Sequence, residues 1–409
     1  MSPAVGTVGT GPSYGGPDAP LPPLSVVGRL DRVRRALDAD GGVAGDADGT
    51  ADGTPGGTPG GLLVTAPANI RWLTGFTGSA GVLLVTGDRA LLTSDGRYRT
   101  QAVEQLTASG VADRVEVVIG GVTAQREALA AAAGPAGVIA LEAAHVSWAG
   151  MQAWQSVFAP RRLVATQGVV EGLRVVKDAD EVVRMERAAA IADAALASVL
   201  PLLADAGAGR GELLTESRFA AALDHAMRLL GAEDRAFETI VASGPNSAKP
   251  HARPGDRPLV AGDPVVVDFG ATYDGYRSDM TRTFCLGGQP SGVLATVFAV
   301  VAASQSAGVE AVAPGVAAGD VDAVCREVIA AAGWAERFEH GTGHGVGLDI
   351  HEGPSVGAGS TAILEPGTVV TVEPGVYLPD LGGVRIEDTL VVTPTGRRPL
   401  TRFPKEVAV

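Results

Sequence analysis

The sequence predicts an α/β (α+β) chain with two folded domains, and three observations carry that prediction. Between residues 62 and 166 short apolar runs alternate with stretches of helical periodicity, the pattern of strands interleaved with helices. A strong helix start at Asp178 then opens a second half, with the junction expected near residue 172. That second half holds β-branched runs, at 265–284 and 368–392, in which polar side chains sit on otherwise apolar strands.

The elements follow in chain order. Residues 1–24 are rich in Gly and Pro, lack hydrophobic periodicity and read as a disordered tail. They have neither a charged n-region nor an apolar h-region, so no secretory signal is expected. Val26, Val27, Leu30, Val33 and Leu37 recur at helical spacing and predict an amphipathic helix ending near Asp38. Residues 39–61 are Gly-, Asp- and Thr-rich without an aromatic. They cannot bury enough apolar area to offset their ordering entropy, and are expected to form a flexible insert. Strands are expected at 62–65, 82–86, 90–93, 115–119, 138–141 and 163–166, with helices near 98–107, 123–133 and 147–157. The stretch 69–79 reads as a packed loop anchored by Trp72. A first domain over 25–171 results.

In the second domain, 172–409, Asp178 and Glu181 form a capping box, and Val182, Met185, Ala189 and Leu196 supply an apolar stripe. Pro201 is expected to end this helix.

Composition excludes several classes. The 409 residues include 56 Gly and 26 Pro, but 46% are apolar, ample for a sizeable core. Lys and Arg number 32 against 46 Asp and Glu, a net charge of 32 − 46 = −14 without the basic footprint of a nucleic-acid or anionic-membrane binder. The longest apolar stretch, 293–303, is shorter than the ~18 residues a membrane span needs. Two cysteines, Cys285 and Cys325, form neither a disulfide framework nor a zinc-ligand pattern. A soluble, cytoplasmic chain is expected.

Chemistry concentrates in four segments. The first, 242–256, contains His251. In the second an apolar run ends in Asp268, Asp274–Gly275 is a strong hairpin turn, and the returning strand carries Asp279. Antiparallel pairing would bring the two carboxylates together, where they repel unless a cation lies between them or one holds a proton. The third, 340–352, holds His340, His344 and His351 among glycines that permit close approach of backbone and ligand. Taken singly, each histidine in a Gly-rich turn is more often a hydrogen-bonded structural residue. In the fourth, Glu373 closes a β-branched strand before a Pro-Gly turn, and a strand from near Val384 places Arg385 and Glu387 on one face, ordinarily an ion pair. Four clustered carboxylates are untenable alone but are neutralised by two divalent cations. Oxygen-rich ligation with an imidazole suits Mn, Co, Fe or Zn. A carboxylate bridging two such ions is the arrangement that activates a shared water.

These motifs resemble the pita-bread metallopeptidases, the aminopeptidase P and prolidase group, over residues 62–392. Matching are the two aspartates eleven apart, His-Gly-x-Gly-His-Gly-x-Gly from His340, Glu-Pro-Gly-x-Tyr from Glu373, and Gly-Gly-Val-Arg-Ile-Glu-Asp from Gly382. The resemblance implies a creatinase-like N-terminal α/β domain followed by a pita-bread catalytic domain. It implies Asp268, Asp279, His344, Glu373 and Glu387 as metal ligands, with Asp279 and Glu387 bridging two divalent ions, Mn²⁺ first and Co²⁺, Zn²⁺ or Fe²⁺ as alternatives. It further implies hydrolysis of Xaa-Pro bonds, in dipeptides or at peptide N-termini, by a metal-bridging hydroxide. Glu373 would move the proton, His251 and His351 would contact substrate, and Arg385 and Tyr377 would orient ligands and water. His340 would contact substrate or support its loop. A homodimer is implied. The alternatives are a non-peptidase amide hydrolase or lyase on the same metal site, or a non-catalytic peptide-binding relative.

Overall fold

A computed structural model describes residues 21–39, 58–405 and 407–409. The tail over 1–20 and the insert over 40–57 lie outside the described residues. The insert's ends are ordered: Ala39 closes a helix and Gly61 opens a strand.

The chain divides into two compact units. One comprises Pro23–Lys177 with His351–Gly353, the other Asp178–Ile350 with Pro354–Val409. The first unit is built from helices α1 (Arg29–Ala39), α2 (Pro67–Thr74), α3 (Arg99–Ala108), α4 (Val122–Ala132), α5 (Trp148–Phe158) and α6 (Val169–Arg174). Its strands are β1 (Gly61–Val64), β2 (Val82–Thr86), β3 (Ala90–Ser94), β4 (Glu116–Ile119), β5 (Val138–Glu142) and β6 (Arg162–Thr166), in the order β4-β3-β2-β1-β5-β6. Pairs joined through a helix, β3–β4 and β5–β6, run parallel, whereas β2 and β3, joined by three residues, run antiparallel. Leu63, Leu84, Ile139 and Leu141 of the sheet pack with Leu129 and Phe158 of the helices.

Two local readings change here. The stretch expected to be a loop from Asn69 begins inside α2, because Pro67 starts a helix at which its missing N–H costs nothing, and Gly75 ends it at φ 75°. Trp72 is fully buried, as an anchor should be. The units part at Lys177–Asp178 rather than near residue 172, since α6 belongs to the first. There Arg32 donates to the carbonyl of Leu173 at 2.8 Å and Arg174 to Asn69 Oδ1 at 2.6 Å.

The second unit opens with α7 (Ala179–Gly207), started by the Asp178–Glu181 capping box. Replacing Asp178 with Ala is expected to cost about 1 kcal/mol in urea unfolding, the usual value of such a cap. Pro201 does not end α7. It lies on the exposed side, and Ala197, whose carbonyl it leaves unbonded, is also exposed, so water can satisfy that group. Leu196, Val199 and Leu203 hold the helix to the core on the other side.

There follow α8 (Glu216–Leu229), β7 (Asp234–Arg235), β8 (Ile240–Ser243), β9 (Pro264–Phe269), β10 (Ala271–Tyr273), β11 (Tyr276–Arg277), β12 (Met280–Cys285), α9 (Gly292–Ala311) and α10 (Ala318–Ala331). The last strands are β13 (Gly343–Gly345), β14 (Glu352–Val356), β15 (Val369–Val372), β16 (Gly375–Leu378), β17 (Gly382–Arg385), β18 (Asp388–Thr393) and β19 (Gly396–Pro399). They form the three-stranded sheets β12-β9-β8 and β11-β10-β7, the five-stranded sheet β14-β13-β15-β18-β19 and the two-stranded β16-β17.

The period-2 alternation of strands assigns the two faces. Val265, Val267, Phe269, Met280 and Phe284 pack with Leu196, Phe219 and Leu223 of α7 and α8. Val370, Val372, Leu390 and Val392 pack with Val297, Val301, Val321 and Ile329 of α9 and α10. Asp268, Asp279, Glu373 and Glu387 have the opposite parity, so helices cover one face and the carboxylates gather on the other. Helices α7 and α9 are long and apolar enough to cross a membrane by length and composition. Both pack into this core. In α9 the polar residues Ser304 and Gln305, which follow the apolar run 293–303, are buried and donate to Cys325 O at 2.9 Å and Asp388 Oδ2 at 3.0 Å.

Candidate metal centre

The four carboxylates come from two kinked hairpins. In the first, β9 pairs with β12 and, beyond a kink, β10 pairs with β11 around Asp274–Gly275, both at positive φ. Asp268 lies opposite Thr281, so Asp279, two residues before Thr281, shares their face. In the second, β15 pairs with β18 and β16 with β17. Glu373 and Glu387 sit at the two points where the chain passes from one sheet to the other.

This revises two expectations. Pro374–Gly375 is not the hairpin turn; the chain passes there into β16 of another sheet and turns at 379–381 instead, with Asp380 at φ 65°. Arg385 and Glu387 do not lie on one strand, because β17 ends at Arg385 and β18 begins at Asp388. Arg385 pairs instead with Asp268, Nη2 to Oδ2 at 2.6 Å.

Asp279, His344 and Glu387 each offer a ligand atom within 4.8 Å of the others. His344 Nε2 lies 3.6 Å from Asp279 Oδ2 and 3.4 Å from Glu373 Oε1. The Gly345 carbonyl takes His344 Nδ1 at 3.0 Å, which puts the proton on Nδ1 and turns the Nε2 lone pair to the carboxylates. Asp268 joins the cluster through Arg385, whose Nε is also 4.0 Å from Glu373 Oε2. Of the five residues, Asp279, His344 and Glu387 have ligand atoms within 4.8 Å of one another, Glu373 stands against His344, and Asp268 is linked through Arg385.

The centre is electrostatically frustrated without cations. Burial first, then Glu387 and Asp268, push the Asp279 carboxyl well above the ordinary range. Burial, then Glu373 and Asp268, do the same to Glu387. Burial lifts Glu373 to about 8 against the opposing pull of Arg385. Two buried oxygens, Asp268 Oδ1 and Glu387 Oε1, have no hydrogen-bond partner. Orphaned acceptors among mutually repelling carboxylates, beside an imidazole nitrogen freed of its proton, are what divalent cations satisfy. The residues fit such ions.

Around the cluster, Arg385 Nη1 donates to Tyr377 Oη at 2.9 Å. His340 Nδ1 is 2.7 Å from the Gly341 carbonyl, so its Nε2 accepts from the Tyr377 hydroxyl at 2.8 Å. Both ring nitrogens of His340 are thereby hydrogen-bonded, one to its own loop and one to Tyr377. Burial keeps it neutral, its pKa lowered to about 4. His251 and His351 are exposed; His251 acts electrostatically on His340, and His351 belongs to the segment grouped with the first unit.

Thr281 and Thr371 are functional neighbours the motifs did not single out. Thr281 Oγ1 donates to Glu387 Oε2 at 2.7 Å; Thr371 Oγ1 donates to Glu373 Oε1 at 3.3 Å and accepts from His344 N at 3.1 Å. Their signal was parity, each lying two residues from an acidic ligand candidate. Gly343 permits this approach, since a Cβ there would come within 2.1 Å of the Thr371 carbonyl. Gly343→Ala is expected to displace β13 and His344, cost roughly 1–3 kcal/mol in a thermal melt and weaken Co²⁺ uptake measured by calorimetry.

A two-unit α/β chain whose catalytic sheets gather four carboxylates and an imidazole on a face opposite the helices belongs to the class of metal-dependent hydrolases. Comparisons narrow the class. Residues 183–394 match metallopeptidase family M24, and residues 60–176 match the creatinase/prolidase N-terminal domain. The chain is 39% identical to the uncharacterized peptidase YqhT of Bacillus subtilis (strain 168), over 85% of this chain and 95% of that protein. Its fold is similar to a solved Xaa-Pro dipeptidase from Bacillus anthracis (34% identity, TM-score 0.83, 94% of this chain and 100% of that one). It is also similar to an X-Pro aminopeptidase from Thermotoga maritima MSB8 (33%, 0.76, 86% and 98%). The chain belongs to metallopeptidase family M24, with the pita-bread fold expected from its motifs.

Proposed function

We propose that this protein is a dinuclear-metal exopeptidase that hydrolyses the Xaa-Pro bond of dipeptides or peptide N-termini. The observation that carries this reading is the convergence of Asp279, His344 and Glu387 within 4.8 Å. The similar Xaa-Pro dipeptidase and X-Pro aminopeptidase support the substrate class.

Asp279, His344 and Glu387, with Asp268 and Glu373 beside them, would hold the cations. When bound, the cations polarise the scissile carbonyl and lower the pKa of water at the site. The chain's own groups do the rest. Arg385 keeps one oxygen of Asp268 fixed by a charge-assisted bond and leaves the other for ligation. Tyr377, held by Arg385 and His340, is pushed by burial to about 12 and keeps its proton. Glu373 receives the proton of the attacking water and passes it to the leaving nitrogen. His251 and His351 take the substrate. A bond preceding proline lacks the N–H that other peptidases bind, so recognition falls on the carbonyl and the ring.

We read the native ion as Mn²⁺, which suits the oxygen-rich donor set. The enzyme is a cytoplasmic homodimer in this reading, and its two buried free thiols accord with a reducing compartment. The test is hydrolysis of Ala-Pro and of an Xaa-Pro tripeptide with added Mn²⁺. Cleavage of the first alone makes it a dipeptidase, and cleavage of the second an aminopeptidase. Protein loaded with metal that cleaves neither refutes the proline reading.

A further inference from the structure

We propose that Arg282 is a positioning residue for the metal centre, which fastens the strand carrying Asp279 to the segment carrying Glu387 and so sets the spacing of the two carboxylates. The proposal rests on the reading that these carboxylates hold the cations.

Asp279 leads into β12, which belongs to the sheet β12-β9-β8, whereas Glu387 leads into β18 of the five-stranded sheet. No ladder of the named strand pairs joins β12 to β18, so the ligand spacing depends on bonds across a seam between two sheets. On the carboxylate face these are Glu387 N to Thr281 O at 3.1 Å, Thr281 Oγ1 to Glu387 Oε2 at 2.7 Å and Thr389 Oγ1 to Asp279 O at 2.7 Å. Arg282 alternates to the helix-covered face, that of Met280 and Phe284, and is 2% exposed.

From there Nη1 donates to the carbonyls of Thr281 (2.9 Å) and Glu387, one on each side of the seam. Nη2 meets Asp388 Oδ1 at 2.8 Å. Asp388 follows Glu387 directly, and its other oxygen is taken by Lys405 Nζ at 2.5 Å and Gln305 Nε2 at 3.0 Å. Arg282 Nε closes the arrangement on Phe403 O (3.1 Å) and Pro404 O (3.2 Å). A buried ion pair is a weak source of net stability against apolar packing. A planar guanidinium with donors in fixed directions is, however, the group that can hold two carbonyls and a carboxylate at set separations, which an ammonium cannot.

The experiment uses the full chain stripped of metal and titrated with Co²⁺, followed by calorimetry and visible absorption. Arg282→Lys and Arg282→Met are expected to raise the Kd of at least one Co²⁺ about 10- to 100-fold, the range for residues that orient ligands, and to shift the absorption bands. Asp388→Asn should move both in the same direction by less, and it keeps the proposal testable where Arg282→Met does not fold. Ile329→Ala, a buried residue of α10 outside this network, should lower Tm while leaving Kd and spectrum as in the wild type. Arg282 variants with wild-type Kd and bands overturn the proposal. So does an Ile329→Ala protein that loses Co²⁺ as much as Arg282→Lys, because lost stability alone would then suffice. A wild-type chain that takes up no Co²⁺ overturns the metal reading, and this proposal with it.

Discussion

Asp279→Asn is expected to lower metal-dependent turnover roughly a thousandfold while making the metal-free protein more stable. The first effect follows because Lewis-acid stabilisation is worth several kcal/mol and each 1.36 kcal/mol is tenfold in rate. The second has the opposite sign and separates a lost ligand from a misfolded protein. Asp279 is buried beside Glu387, Asp268 and Glu373, all of which penalise its charge. In the metal-free fold these neighbours and burial keep a proton on a group that the unfolded chain ionises near pH 4; a neutral amide of the same shape removes that cost, and each kcal/mol gained raises Tm by about 2–4 °C in a unit of this size. Steady-state kinetics with saturating Mn²⁺ and melting in chelator check the two halves. Unchanged turnover would reject a role for Asp279 in the proposed dinuclear site.

Removing metal should destabilise the protein strongly at pH 8 and much less at pH 5. In the metal-free fold Asp279 and Glu387 hold their protons well above the ordinary range, and Glu373 does so up to about 8. In the unfolded chain the same groups release them near pH 4. The native state therefore binds more protons between those limits. The stability these groups contribute is complete below about pH 4 and is lost as pH rises through the folded values, by up to about 1.4 kcal/mol per pH unit for each group. Cations reverse the sense, since they bind the ionised forms and compete with protons. At a hundredfold excess over Kd they return about 2.7 kcal/mol, on the order of 5–10 °C in Tm. Melting curves with and without chelator at the two pH values measure this. Equal losses at both, or none at pH 8, would refute it.

Much of the architecture was legible because its determinants are local. The alternation of apolar runs and helical stretches from Leu62 to Thr166 depends on side-chain period, and the Asp178–Glu181 box and the Asp274–Gly275 turn on neighbours within a few residues. Errors arose where local preference met a tertiary circumstance. Pro201 breaks a helix only if the carbonyl it orphans has no water, and Ala197 is exposed. Asn69 reads as loop until Pro67 is recognised as a helix start.

The site divides along the same line. The residue types of the candidate metal centre, their order and their presence on apolar strands are written in the sequence from Asp268 to Glu387. Position in space is not. That Arg385 serves Asp268 instead of Glu387, that His340 spends both nitrogens on Gly341 and Tyr377, and that Arg282 spans the seam to Glu387 are contacts across separations such as 117, 37 and 105 residues. Such contacts follow from strand register and from the points where the chain changes sheet, which are set by the packing of whole layers. Periodicity along the chain carries which face a side chain takes, but the partner waiting on that face is supplied by another part of the fold.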